Sequence, residues 1–277
     1  MDVGRRWPAA VWVRRLLVVV SVGLLGLGVT CGTELAALVG RLERSDAVTF
    51  VTAPFRPELR MADRDAAQPL DPELAALGAK VTPSLVELTV FDSSGTPVGQ
   101  ATGVVLDSSG LVVTNHHVVA DAAEVIATRS LHDWRAYPAT VVGADLAQDI
   151  AVLRLRDASS LPAARLGDSD ALRINQRVAM IGNGWGSMEV GAGPVTRLRL
   201  LLRRIPAEGM PRPRTAVLYD MIEARTGGNP GDSGGALVTT DGAVIGINQG
   251  VASGSGYAIP INKVLRVVER LTATTYR

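Results

Sequence analysis

From Val81 to Pro260 the chain is a succession of short apolar runs separated by turns built on glycine, aspartate and serine. Runs of this length that end in turn residues are strands, because a helix needs a longer amphipathic period to bury a face. Expected strands cover residues 84–91, 102–106, 111–114, 124–127, 139–142 and 150–154. A second set covers 177–181, 195–202, 217–223, 236–239, 243–249 and 257–260. Turns such as Asp107-Ser-Ser-Gly110 and Thr240-Asp-Gly242 sit between consecutive runs, as antiparallel hairpins require. No long helical pattern intervenes, which excludes an alternating strand and helix fold and leaves an all-β barrel pair or sandwich. Two helices frame it. Asp71 before Pro72 and Glu73 marks a helix start that Gly78 closes, and apolar residues recur at helical spacing over 262–271.

The first forty residues have a different character. Arg5, Arg6, Arg14 and Arg15 precede an apolar run from Leu16 to Thr30 that fades before Glu34. Its length lies between a secretory signal and a spanning helix, and both lead to export. The arginines place the N-terminus in the cytoplasm and the remainder of the chain outside the plasma membrane. An uncleaved transmembrane anchor is the preferred reading, because no good small-x-small cleavage site lies after the run; secretion after cleavage is the alternative. The expected organisation is an anchor over 1–40, a linker over 41–70 and a globular domain over 71–277.

Charge and cysteine content remove other classes of function. Twenty-eight basic residues against 27 acidic ones give a net charge of +1, which supplies no field for nucleic acid. Cys31 is the only cysteine, so no internal disulfide and no multi-cysteine metal site can form. No metal or cofactor is expected.

Three segments carry residues suited to nucleophilic catalysis. A serine hydroxyl attacks a carbonyl only when a base takes its proton and a third group orients that base. The segment Gly110-Leu-Val-Val-Thr-Asn-His-His-Val-Val119 sets a histidine pair, His116 and His117, at the end of an apolar strand. Asp149 stands directly before the strand Ile-Ala-Val-Leu, where a partly buried carboxylate needs a donor. Ser233 lies within Gly231-Asp-Ser-Gly-Gly235, whose glycines permit a tight turn with converging amide N–H groups. His132 sits in a polar stretch and reads as a loop residue.

Together with Thr102-Gly-Val-Val-Leu106 and Gly256-Tyr-Ala-Ile-Pro-Ile261, these segments resemble the trypsin-like serine proteases, and among them the HtrA or Deg group. The order is His, Asp, Ser, and the resemblance spans about 81–271. It implies two perpendicular six-stranded barrels, over about 81–160 and 170–261, with the 262–271 helix outside. It implies His117 as base, Asp149 as its orienting acid and Ser233 as nucleophile, with the Gly231 and Ser233 N–H groups as oxyanion hole. Gly227, Asn248 and Gly250 then border the substrate pocket. The implied activity is endopeptidase cleavage of exported or misfolded polypeptides, and the implied assembly is a homo-trimer. A catalytically silent envelope scaffold is the competing reading.

The chain departs from that pattern in three ways. Only six residues come after Leu271, too few for the peptide-binding PDZ module that many such relatives carry. Asp232 stands before the nucleophile without an activation site, with Arg225 as a candidate partner. Gly227 occupies the place where an enzyme selective for Lys or Arg carries an acid, so small or medium apolar P1 residues are expected. The segment Thr196-Arg-Leu-Arg-Leu-Leu-Leu-Arg-Arg204 and its Pro-rich continuation read as a strand with solvated arginines, or else as a basic loop that touches lipid or gates the site.

Overall fold

A computed structural model describes residues 48–52, 71–130, 133–182, 189–206, 217–228 and 231–274 of the chain. The anchor expected over 1–40, His132 and the Pro-rich loop over 207–216 lie outside the described residues. Among those described, no helix is long and apolar enough to cross a membrane.

The chain order of strands begins with β1 (Val48–Thr52), followed by β2 (Leu85–Phe91), β3 (Pro97–Val105), β4 (Leu111–Thr114), β5 (Glu124–Ser130), β6 (Asp133–Asp145) and β7 (Ile150–Leu155). Strands β2 to β7 close into a barrel in the order β2-β3-β4-β7-β6-β5. The second half holds β8 (Arg177–Gly182), β9 (Glu189–Pro206), β10 (Val217–Ala224), β11 (Ala236–Thr239), β12 (Val244–Ala252) and β13 (Ser255–Pro260). Here β9 is long enough to serve two partners. Its first part pairs with β8 from Glu189↔Gly182 to Pro194↔Arg177, and its second part pairs with β10. That double pairing closes the ring β9-β10-β13-β12-β11-β8.

Both faces of several strands are buried, which is why their sequences read as continuous apolar runs rather than alternating ones. In β7, Ala151 and Leu153 join Val86, Leu88, Val105 and Val112 inside the first barrel. Ile150 and Val152 point the other way, into a cluster shared with Ala236, Ile247 and Ile259 of the second barrel. A separate cluster of Val178, Met180, Val195, Ile222, Leu237 and Ile245 fills the second half. Side chains of alternate parity therefore build each core and the seam between barrels.

Every expected strand is present, and most run longer, because ladder hydrogen bonds continue past the apolar residues that announce them. Three expectations are corrected. Helix α1 (Pro72–Val81) is capped by Asp71 as expected, with Oδ1 accepting from Glu73 N at 2.8 Å. It does not stop at Gly78, because Leu77, Gly78 and Val81 form its buried face. The linker expected over 41–70 contains β1, which lies parallel to Leu202–Pro206 of β9. Val-Thr-Phe-Val-Thr has the β-branched and aromatic composition of a strand, and this edge of β9 has backbone groups to satisfy. The C-terminal helix, expected over 262–271, spans Ile261–Thr274; with a single helical turn, α2 (His116–Val119), between them, it is α3. In β9, Leu200 and Leu202 are buried, while Arg199 is exposed and Arg197, also exposed, pairs with buried Glu223.

Candidate active site

Strand β4 ends at Thr114, whose hydroxyl donates to the Thr102 carbonyl at 2.8 Å and ties the strand end to β3. The chain then turns through Asn115 into α2. Asp149 faces this turn from the start of β7, with its backbone at φ 55 in the left-handed region. That conformation is uncommon for a non-glycine residue and is stabilised here by its surroundings. The Asp149 carbonyl accepts from His116 N at 3.1 Å and from Asn115 Nδ2 at 3.3 Å.

The carboxylate of Asp149 is sealed from solvent and receives N–H donors at both oxygens. Oδ1 accepts from His117 N at 2.8 Å, and Oδ2 contacts His117 Nδ1 at 2.8 Å. Gln249 Nε2 donates to the same Oδ2 at 2.8 Å. A buried charge with three donors has exchanged its hydration shell for fixed dipoles. Because the carboxylate can only accept, Nδ1 of His117 carries the proton and Nε2 presents a lone pair. The His117 side chain is 29% exposed, so part of the ring is open to solvent.

Ser233 is presented from the second barrel by the turn before β11. Gly231 has φ 101 and Gly234 has φ 81. A Cβ on Gly234 would stand 2.1 Å from the Thr102 carbonyl oxygen and 2.2 Å from the Thr114 hydroxyl, so only glycine lets the turn press against β3 and β4. Thr102 holds the turn from the first barrel, its N–H donating to Ser233 O and its hydroxyl to Gly231 O, both at 2.9 Å. Gly234 N donates to Asn248 O and Asn248 N donates to Gly235 O, both at 2.8 Å. The N–H groups of Gly231 and Ser233 donate to no other described residue. The Ser233 hydroxyl points to Gln249 O at 3.4 Å rather than to His117.

The structure thus brings His117, Asp149 and Ser233 to one seam between barrels. Gly227, at φ 63, donates its N–H to Gly254 O at 3.1 Å, and no described atom lies within 4 Å of where its Cβ would be. Gly250 comes directly after the irregularity in β12 that Gln249 occupies. Asn248 is fully buried and its amide donates to Ile181 O at 3.1 Å, so its side chain braces β12 against β8. Asp232 is buried in close contact with Gly182, where a Cβ would fall 2.0 Å from its Oδ1. Arg225 is exposed and makes no ion pair with Asp232.

Sequence reasoning missed Gln249 and the part played by Thr102. The signal for Gln249 was there: an amide at the end of an apolar strand is buried only when it has a partner.

The trypsin-like peptidase domain family matches residues 101–247. A probable periplasmic serine endoprotease of DegP-like type from Chlamydia pneumoniae is 35% identical over 181 residues, 62% of this chain and 34% of the relative. Serine protease PepD of Mycobacterium tuberculosis is 32% identical over 279 residues, 91% of this chain and 59% of the relative. The chain therefore spans only part of the length of these relatives. Among solved structures, the HtrA-type protease AlgW with a tripeptide superposes with a TM-score of 0.60 at 30% identity, covering 73% of this chain and 64% of that one.

Proposed function

The chain belongs to the trypsin-like peptidase family, and on that premise we propose that it is a serine endopeptidase acting outside the cytoplasm on exported or misfolded proteins. One observation carries the reading. Asp149 accepts from the His117 backbone N–H and reaches its Nδ1, Gln249 touches both Asp149 and Ser233, and the Gly231 and Ser233 N–H groups donate to no other described residue.

The chemistry is built from those atoms. A rotation about χ1 takes the Ser233 hydroxyl from Gln249 O towards His117 Nε2. Nε2 takes the hydroxyl proton as Oγ bonds to the scissile carbonyl carbon, and Asp149 stabilises the resulting imidazolium. The N–H groups of Gly231 and Ser233 receive the negative charge that forms on the carbonyl oxygen. His117 returns the proton to the leaving amine, and water then repeats the cycle on the acyl-enzyme. Gly227 and Gly250 border the P1 pocket, where the missing acid at Gly227 selects small or medium apolar residues over Lys and Arg.

Location at the plasma membrane, with the domain on the outer side, is supported by the arginine-flanked apolar run over 16–30 and by relatives described as periplasmic. The homo-trimer is proposed from the same resemblance.

A fluorophosphonate probe tests the reading. It labels Ser233, labelling disappears in Ser233→Ala and falls strongly in His117→Ala, and cleavage of a denatured protein ranks the variants in the same order. A folded chain that resists the probe and cleaves nothing supports the silent scaffold instead, a reading favoured by the hydroxyl's present bond to Gln249 O.

A further inference from the structure

A cavity of about 510 Å³ opens on the second barrel. It is lined by Thr196 and Arg197 of β9, Glu223 and Arg225 at the end of β10, and the turn of Ser253, Gly254 and Ser255. Glu223 is buried, so its carboxylate needs a compensating cation. Arg197 supplies it through Nε, 2.7 Å from Glu223 Oε2. The contact is an ion pair, and Arg197 itself lines the cavity. Arg225 is exposed and makes no ion pair with a described residue. The lining therefore holds two guanidinium groups against one carboxylate. Planar forks of N–H donors in a concave wall with surplus positive charge match an oxyanion.

The same residues connect to Gly227, which borders the proposed substrate pocket, and to β9. Gly227 N donates to Gly254 O at 3.1 Å, and Arg225 N donates to Pro194 O at 3.0 Å. Gly193 lies so close to the Arg225 carbonyl that a Cβ there would be 1.8 Å from the oxygen. A ligand held between Arg225 and the 253–255 turn would touch the residues on either side of Thr226 and, through Gly254, Gly227.

We propose that this cavity is an oxyanion site, taking a phosphate or carboxylate group, and that its occupancy sets the rate at which Ser233 reacts. The binding half stands on the cavity alone; the rate half rests on the reading of Ser233 as nucleophile.

Binding is measured in Ser233→Ala protein by thermal unfolding, with inorganic phosphate and succinate titrated against chloride at matched ionic strength. The better oxyanion raises the unfolding midpoint by about 5 °C at a hundredfold excess over its Kd, and Arg225→Gln removes the shift while keeping the ligand-free midpoint. The larger of the two shifts identifies whether phosphate or carboxylate is the preferred group. Equal shifts with chloride, or a shift that survives in Arg225→Gln, overturn the site. In the unmodified chain the same ligand changes the fluorophosphonate labelling rate by about fivefold or more, and Arg225→Gln abolishes the change. Labelling that proceeds at one rate with and without ligand overturns the coupling. No labelling at all, with the midpoint shift intact, overturns the role of Ser233 and leaves the oxyanion site standing.

Discussion

Gln249 Nε2 donates to the same oxygen of Asp149, Oδ2, that His117 Nδ1 reaches, and both contacts are 2.8 Å long. The carbonyl of the same glutamine accepts from the Ser233 hydroxyl at 3.4 Å. One residue of β12 thereby touches both Asp149 and Ser233. Loss of a hydrogen bond to a buried charge corresponds to about a tenfold or greater effect. Gln249→Ala is expected to lower kcat by about tenfold with KM little changed, read in steady-state peptide cleavage. Gln249→Glu sets two carboxylates against each other, and such a pair retains a proton. With its folded pKa raised, the pair destabilises the variant progressively as pH rises above the unfolded glutamate value and then levels off above the folded value. A difference in unfolding midpoint that stays constant from about pH 4 to about pH 8 contradicts this.

Thr102 fixes the orientation of the Gly231 peptide by donating its hydroxyl to that carbonyl at 2.9 Å. The peptides on either side carry the Gly231 and Ser233 N–H groups proposed to bind the oxyanion, so their orientation depends on this bond. Thr102→Val keeps the shape and removes the donor to a part-buried carbonyl. We expect kcat to fall about tenfold, with the labelling rate at Ser233 falling in parallel. Unchanged kcat separates Thr102 from the turn.

Two glycines with similar φ give different outcomes. Gly234, at φ 81, has the Thr102 carbonyl oxygen 2.1 Å from a Cβ position, whereas Gly254, at φ 77, has nothing within 4 Å. Gly254→Ala is expected to cost about 1 kcal/mol from backbone strain alone. Gly234→Ala adds overpacking against the first barrel and costs about 3 kcal/mol or more, with loss of labelling. Urea denaturation of the two variants measures the difference.

Asp241 in the β11–β12 turn accepts from the Thr239 hydroxyl and from Arg165, and its pKa is lowered to about 2. A carboxylate whose folded pKa lies below its ordinary 3.8 stabilises the native state above 3.8, and that contribution is lost as pH falls through 3.8 towards 2. The group is solvent-exposed, so the effect is small and screened by salt. The unfolding midpoint of Asp241→Asn is expected below that of the parent at about pH 6 and equal to it near pH 2. The gap at the higher pH narrows in about 1 M salt.

The strands were legible in the sequence because their signals are local. A run such as Val-Glu-Leu-Thr-Val-Phe in β2, or Ile-Ala-Val-Leu in β7, states its own conformation through β-branched content and flanking turns, whatever its partner. The approach of Gly231-Asp-Ser-Gly-Gly235 to the histidine pair was readable as a pattern of residue types. Residue types alone did not separate His116 from His117, which stand at the same strand end; it was the family resemblance that implied His117. Only the folded chain shows which ring meets Asp149, and it is His117. The same limit applies to Gln249, which is 100 residues from Asp149, and to Thr102, which is 129 residues from Gly231. The β1 strand and the cavity beside Arg225 likewise depend on which strands become neighbours. Sequence alone determined which segments extend and which residue types could do chemistry. Register across the closed barrels decided which of them touch, because a contact between distant segments has no local energetic signature in either one.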